Sequence, residues 1–164
     1  MLRNIWYFGL AARDLRAGKL VHRQICGAPV VFGRTSDGQA FALRDNCPHR
    51  GAPLSEGCMR GDVVECCYHG WTFDRDGKCM SVPALVADDP VDLGKITVQV
   101  FPVRERQGLI WVWFGDGDGA DTPAPHIPDV GDAAPQIVHE LDFPVNIDHA
   151  VVGLIDPAHT PHVH

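Results

Sequence analysis

Two short segments constrain this chain more than anything else in it: NCPHRGAPL at residues 46–54 and CCYHGWTF at residues 66–73, each pairing a cysteine with a nearby histidine. Cys47-x-His49 is followed by sixteen residues and then by Cys66-x-x-His69, so two tight loops each offer one thiolate and one imidazole. This spacing serves a single tetrahedral ion poorly. Zinc sites usually space their first ligand pair by two to four residues, and C-x-H makes a strained chelate. Two irons bridged by sulfide are served well, because each loop can give its thiolate to one iron and its imidazole to the other, clamping both loops on one cluster. Replacing two thiolates by neutral imidazoles removes about two negative charges and raises the reduction potential into a range of roughly −150 to +300 mV. Cys47, His49, Cys66 and His69 are therefore the candidate cluster ligands. A zinc-stabilised interaction module on the same four side chains and a cysteine nucleophile with a histidine base are the competing readings; the second requires no duplicated loop.

The chain around these loops reads as antiparallel β structure. Strand-like runs occur at 28–34 (APVVFGR), 39–45 (QAFALRD), 62–66 (DVVEC), 96–101 (ITVQVF) and 108–114 (GLIWVWF). Asp37-Gly38 is a hairpin signal between two of them, and Asp76-Gly77 is placed to turn the chain after Trp71 and Phe73. The stretch NIWYFGLAA at 4–12 is a poor secretion signal, having one preceding Arg, a polar Asn4 and early charges at Arg13 and Asp14. A reducing cytoplasm is the expected compartment for the six cysteines, and no membrane span is indicated. The excess of 21 acidic over 14 basic residues argues against a nucleic-acid-binding surface.

From Gly115 to Gln136 the composition changes: 17 of 22 residues are Gly, Asp, Ala or Pro, which reads as an inter-domain connection. Its GDGDGA matches a dinucleotide-binding pattern in letters only. The aspartates would repel a pyrophosphate, and Pro123 and Pro125 oppose the helix that such a site needs. Beyond it, IVHELDFPV reads as a strand and NIDHAVVGLIDPAH as a helix at least to Ile155. One strand and one helix make no core, so this segment must pack on the first domain, on another chain or on further residues.

At its cysteine and histidine loops the sequence resembles the Rieske family. CPHRGAPL and CxYHGWxF are the forms found in Rieske non-haem iron oxygenases, particularly the vanillate O-demethylase-like group of aromatic-ring-hydroxylating terminal components. Respiratory and photosynthetic Rieske proteins carry a disulfide between the loops; here the equivalent positions are Ala52 and Tyr68, so the resemblance implies no such bridge and a potential near the lower end of the range. Arg50 and Trp71 match family positions around the cluster, while Trp71 can equally be core packing. Cys67 is expected as a packed or solvent-facing thiol, and Cys26, Cys58 and Cys79 as non-ligands.

The resemblance extends to DPAHTPHVH at the end of the chain. In the family an aspartate, here Asp156, bridges a Rieske histidine of one subunit to the iron site of its neighbour, and two histidines, here His159 and His164, bind a mononuclear Fe(II) completed by a downstream carboxylate. His162 stands one helical turn from His159 and is the alternative ligand, since His164 lies roughly 140° away around a regular helix. Gly153 departs from the family's frequent Asn.

The implied fold is mainly β. A Rieske-type antiparallel domain with a [2Fe-2S] cluster-binding subdomain occupies 1–114, a Gly/Asp/Ala/Pro-rich connection 115–136, and the first strand and helix of an incomplete α+β catalytic domain 137–164. The implied function is electron transfer from a reductase or ferredoxin through the cluster to Fe(II), for hydroxylation or O-demethylation of a small substrate, expected to be aromatic, by a mono- or dioxygenase. The implied assembly is a homotrimer or another homo-oligomer. A chain of this extent is expected to be truncated and inactive alone. A stand-alone Rieske ferredoxin-type electron carrier is the alternative.

Overall fold

The structure is a computed structural model that describes residues 2–86, 89–128, 141, 143–156 and 158. Its strands are β1 Ile5–Ala11, β2 Leu20–Ile25, β3 Ala28–Arg34, β4 Ala40–Arg44, β5 Cys58–Arg60, β6 Val63–Glu65, β7 Thr72–Phe73, β8 Cys79–Ser81, β9 Val100–Phe101, β10 Val103–Arg106 and β11 Leu109–Phe114, and its helix is α1 Ile147–Ile155. Among the described residues every strand pairing is antiparallel, in three sheets ordered β1-β11-β10, β2-β3-β4-β9 and β5-β6-β7-β8.

The period-two alternation of strand side chains sorts residues into two cores. Val30, Phe32 and Ala42 enter one core with Leu10, Ile110, Val112 and Phe114 of the first sheet. Val31, Phe41 and Leu43 enter the other with Leu54, Val64, Phe73 and Val98, beside the thiols of Cys47, Cys66 and Cys79. The second sheet is therefore the middle layer, apolar on both faces, which is why β3 reads as an unbroken apolar run rather than an alternating one. Each fully buried side chain of the Phe32 or Leu43 kind contributes roughly 1.5–3 kcal/mol relative to exposure.

The runs expected at 28–34, 39–45, 62–66 and 108–114 all contain strands. The run at 96–101 is strand only at Val100–Phe101, because Val98 N–H donates to the Gly77 carbonyl at 2.8 Å and Thr97 makes only an isolated bridge with Lys78. Both turns form where Asp-Gly pairs stand, with Gly38 at φ 86° and Gly77 at φ 73°. The apolar stretch at 4–12 becomes β1, which pairs along β11 from Ile5 opposite Phe114 to Ala11 opposite Leu109.

The start of the Gly/Asp/Ala/Pro-rich segment lies against the first sheet. The indole N–H of Trp6 donates to the Thr122 carbonyl at 2.7 Å, that of Trp113 donates to Asp116, and Gln107 exchanges two hydrogen bonds with Ile127. Among the described residues 121–128 no helix follows GDGDGA, and Gly117 and Gly119 adopt φ of 67° and 68°, a turn rather than the entry to a helix that a nucleotide site needs. The expected helix is present as α1, capped by Asn146, whose side chain accepts from the Asp148 N–H at 3.0 Å. None of its residues is buried, and Ile147, Val152, Leu154 and Ile155 are all exposed. The strand expected over 137–145 falls mostly outside the described residues. Among the described residues no helix is long and apolar enough to cross a membrane.

Candidate metal centre

Two loops with the same backbone plan meet at one end of the second core. In the first, between β4 and β5, the Cys47 N–H donates to the Ala52 carbonyl at 2.8 Å and the Gly51 N–H donates back to the Cys47 carbonyl at 2.8 Å. In the second, between β6 and β7, the Cys66 N–H donates to the Trp71 carbonyl at 2.8 Å and the Gly70 N–H to the Cys66 carbonyl at 3.0 Å. Gly51 and Gly70 sit at φ 75° and 69°, in the left-handed region that a side chain disfavours. The repeated Cys-x3-Gly is visible in the sequence as CPHRG and CCYHG, and it is the signal by which this shared turn could have been found.

The loops sort their donors by kind. Cys47 and Cys66 are 2% and 3% exposed and adjacent, whereas His49 and His69 are exposed with ring centroids 4.6 Å apart. Burial pushes the Cys47 thiol up to about 11, against the pull of the His49 and Arg50 backbone N–H groups, and the neighbouring Cys66 thiol adds to the rise. His49 is lowered, first by desolvation and then by the positive charges of His69 and Arg50, so it favours the neutral form that binds metal. Among the described residues no three His, Cys, Asp or Glu side chains converge as they would around one ion. Two thiols at a buried end, backbone N–H groups beside Cys47 and two imidazoles at the surface fit a [2Fe-2S] cluster held two ligands to each iron.

Trp71 resolves its two readings together. It packs against the second core, and its indole stacks on His49 with centroids 4.5 Å apart and planes 2° from parallel. Ala52 also packs on that core and Tyr68 is exposed, so neither position carries a bridge, and all six cysteines are free thiols. Cys67 is exposed as expected, Cys79 is buried in the second core, and Cys26 and Cys58 are free thiols at exposed and intermediate positions.

Sequence reasoning passed over the residues that hold the loops. Asp45, immediately before the first loop, is buried and accepts from the Ser55 N–H at 2.7 Å, the Ser55 hydroxyl at 2.6 Å and His22 Nδ1 at 2.6 Å. Gly57 leaves no room for a side chain, since a Cβ there would collide with the carbonyl oxygen of Glu65, the residue before Cys66. Asp156 follows α1, and its carboxylate accepts from the Ala158 N–H at 2.9 Å. His159, His162 and His164 lie outside the described residues, so the expected mononuclear-iron ligands have no geometry here.

A family model described as the Rieske [2Fe-2S] domain matches residues 5–102. The oxygenase component of dicamba O-demethylase from Stenotrophomonas maltophilia is 38% identical over 167 residues, covering 99% of this chain and 48% of that protein. The crystal structure of apo dicamba monooxygenase superposes with a TM-score of 0.69 at 40% identity, over 80% of this chain and 39% of that one. The oxygenase in the reduced oxygenase–ferredoxin complex of carbazole 1,9a-dioxygenase is similar at 28% identity and a TM-score of 0.63, over 71% of this chain and 30% of that one. The chain thus spans less than half the length of these relatives.

Proposed function

The chain belongs to the Rieske [2Fe-2S] family, in the form found in the N-terminal part of dicamba O-demethylase-like terminal oxygenase components, and from that premise we propose that Cys47 and Cys66 hold one iron of the cluster and His49 and His69 the other. The observation that carries this assignment is the sorting of the donors, thiols together in the core and imidazoles together at the surface. When bound, the cluster supplies a one-electron carrier whose potential is raised by its two neutral ligands.

The chain's own residues give that carrier a direction. Burial of Cys47 and Cys66 keeps water from the thiolate end. His49 and His69 turn their rings to the surface, where the nitrogen not bound to metal donates a hydrogen bond to a docked partner. The exposed Tyr68, with its ring centroid 4.0 Å from that of His69, widens the apolar rim of that contact.

Electrons reach this surface from a reductase or a ferredoxin; the ferredoxin complex of the carbazole enzyme supports this reading. They leave for a mononuclear Fe(II) to which His159 and His164 belong, with Asp156 as the inter-subunit bridge in a homotrimer or another homo-oligomer. Residues 1–114 form the Rieske domain and 137–164 the beginning of the catalytic domain, which hydroxylates or O-demethylates a small aromatic substrate. The six free thiols fit a reducing cytoplasm.

Anaerobic reconstitution of the chain tests this reading. The expected product is brown, contains about two irons and two acid-labile sulfides per chain, and gives a rhombic EPR signal on reduction. A colourless, sulfide-free, zinc-loaded product defeats it.

A further inference from the structure

We propose that Asp45 is a positioning residue of the cluster: its carboxylate clasps the two ends of the first ligand loop, and His22 of β2 anchors the clasp to the middle sheet. The inference rests on the ligand reading above and deepens it. Asp45 stands two residues before Cys47, and Ser55 stands directly after Leu54, in the single 3-10 turn Leu54–Glu56 that closes the loop. Between them run two hydrogen bonds, Ser55 N–H to Oδ1 at 2.7 Å and the Ser55 hydroxyl to Oδ2 at 2.6 Å. Oδ2 also accepts from His22 Nδ1 at 2.6 Å, and because a carboxylate only accepts, that ring nitrogen carries the hydrogen.

Position makes this more than a surface turn. The Asp45 side chain is 1% exposed, and its backbone N–H is tied to the Pro29 carbonyl of β3 at 3.0 Å, so the entry of the loop is fixed to the sheet from both main chain and side chain. Leu54, between the clasp and the loop, is fully buried in the core that holds both ligand thiols. A buried carboxylate without its donors is costly, so the three bonds form together or the loop entry opens. The closed clasp sets where Cys47 meets Cys66 before any metal arrives. It also places a negative group two residues from a cluster ligand, which opposes reduction.

The chain contains its own control. Asp62 clasps Ser36 through the same two contacts, Ser36 N–H to Oδ1 at 2.6 Å and the Ser36 hydroxyl to Oδ2 at 3.0 Å, but it joins the β3–β4 turn to the β5–β6 turn and touches neither ligand loop. In the reconstituted full chain, D45A and S55A are expected to lose the cluster to a chelator at least about tenfold faster than wild type, while D62A loses it at the wild-type rate. D45N keeps the shape of the clasp, since its amide can donate to the Ser55 hydroxyl and to the other tautomer of His22. It removes the charge, and is expected to shift the reduction equilibrium about tenfold toward the reduced cluster, about 59 mV for one electron. Should D45A fail to fold, S55A and D45N decide the matter. Wild-type chelation rates in S55A together with a wild-type reduction equilibrium in D45N overturn the clasp. So does equal loss from D45A and D62A. A wild-type chain that assembles no cluster defeats the ligand reading instead, which separates the two failures.

Discussion

The indole of Trp71 lies parallel to the imidazole of His49, 4.5 Å between ring centroids, so a residue of the second loop packs flat on the proposed ligand ring carried by the first. Stacked aromatic pairs contribute about 0.5–1.5 kcal/mol beyond the area they bury. Truncation to W71A, removing a half-buried ring, is expected to cost about 2 kcal/mol in urea unfolding and to change the anisotropy of the reduced EPR signal, since His49 gains rotational freedom. W71F is expected to restore most of both. An unaltered EPR signal in W71A would show that the stack does not orient the ligand.

Ligand exchange separates the two ends of the cluster. H69C substitutes a thiolate for a neutral imidazole, so the cluster is expected to survive in a folded chain with its potential moved down toward the plant-type value of about −400 mV. C66S removes a thiolate at the buried end and is expected to leave no cluster by sulfide analysis. Voltammetry of H69C giving the wild-type potential would contradict the assignment of His69.

The Cys47 thiol gives the metal-free chain a pH dependence of definite sign. Folded, it holds its proton up to about 11, against an ordinary value of 9.0. A raised value stabilises the fold below the ordinary one, and that contribution is lost as the pH rises from 9.0 to about 11. The urea midpoint of the apo chain is therefore expected to fall across this window, and C47S to show a smaller fall. Metal binding works in the opposite sense, because the thiol must release its proton to become a ligand. Cluster assembly is accordingly expected to improve between about pH 6 and about pH 8, followed by absorbance during reconstitution.

Gly57 bears on the second loop through the backbone. Its conformation, φ −86° and ψ −151°, is open to any residue, so the cost of a substitution there is steric: a methyl group meets the Glu65 carbonyl. G57A is expected to lose about 1–3 kcal/mol of stability and to bind the cluster less tightly, because moving Glu65 moves Cys66. Chelator kinetics beside a thermal melt would show both. A stable G57A chain that holds its cluster as wild type does would mean that β6 tolerates the shift.

Much of the centre is legible in the letters because its chemistry is local. Cys47 and His49 lie within one turn, as do Cys66 and His69, and Ala52 and Tyr68 stand at the positions where, by the family resemblance, a bridging disulfide would need cysteines. The strands that run through the cores, such as β3 and β11, announce themselves by apolar content, and the Asp-Gly turns by their demand for positive φ. Strands β5, β7 and β8, of two or three residues each, carry too few side chains for periodicity to register and exist because a neighbour supplies their hydrogen bonds. β1 escaped for a different reason: its apolar run has no alternation, since it lies across a bulge between Phe8 and Leu10.

By itself, the sequence determined which atoms could meet a metal and how many irons their spacing suits, because both follow from residue identity and short separations along the chain. Only the tertiary structure decided that the thiols share a buried end and the imidazoles an exposed one, that Trp71 covers His49 and that Asp45 closes the first loop on Ser55. These relations join residues brought together by the stacking of three sheets, and solvent exclusion, which separates one end of the site from the other, is a property of the packed chain and of no segment alone.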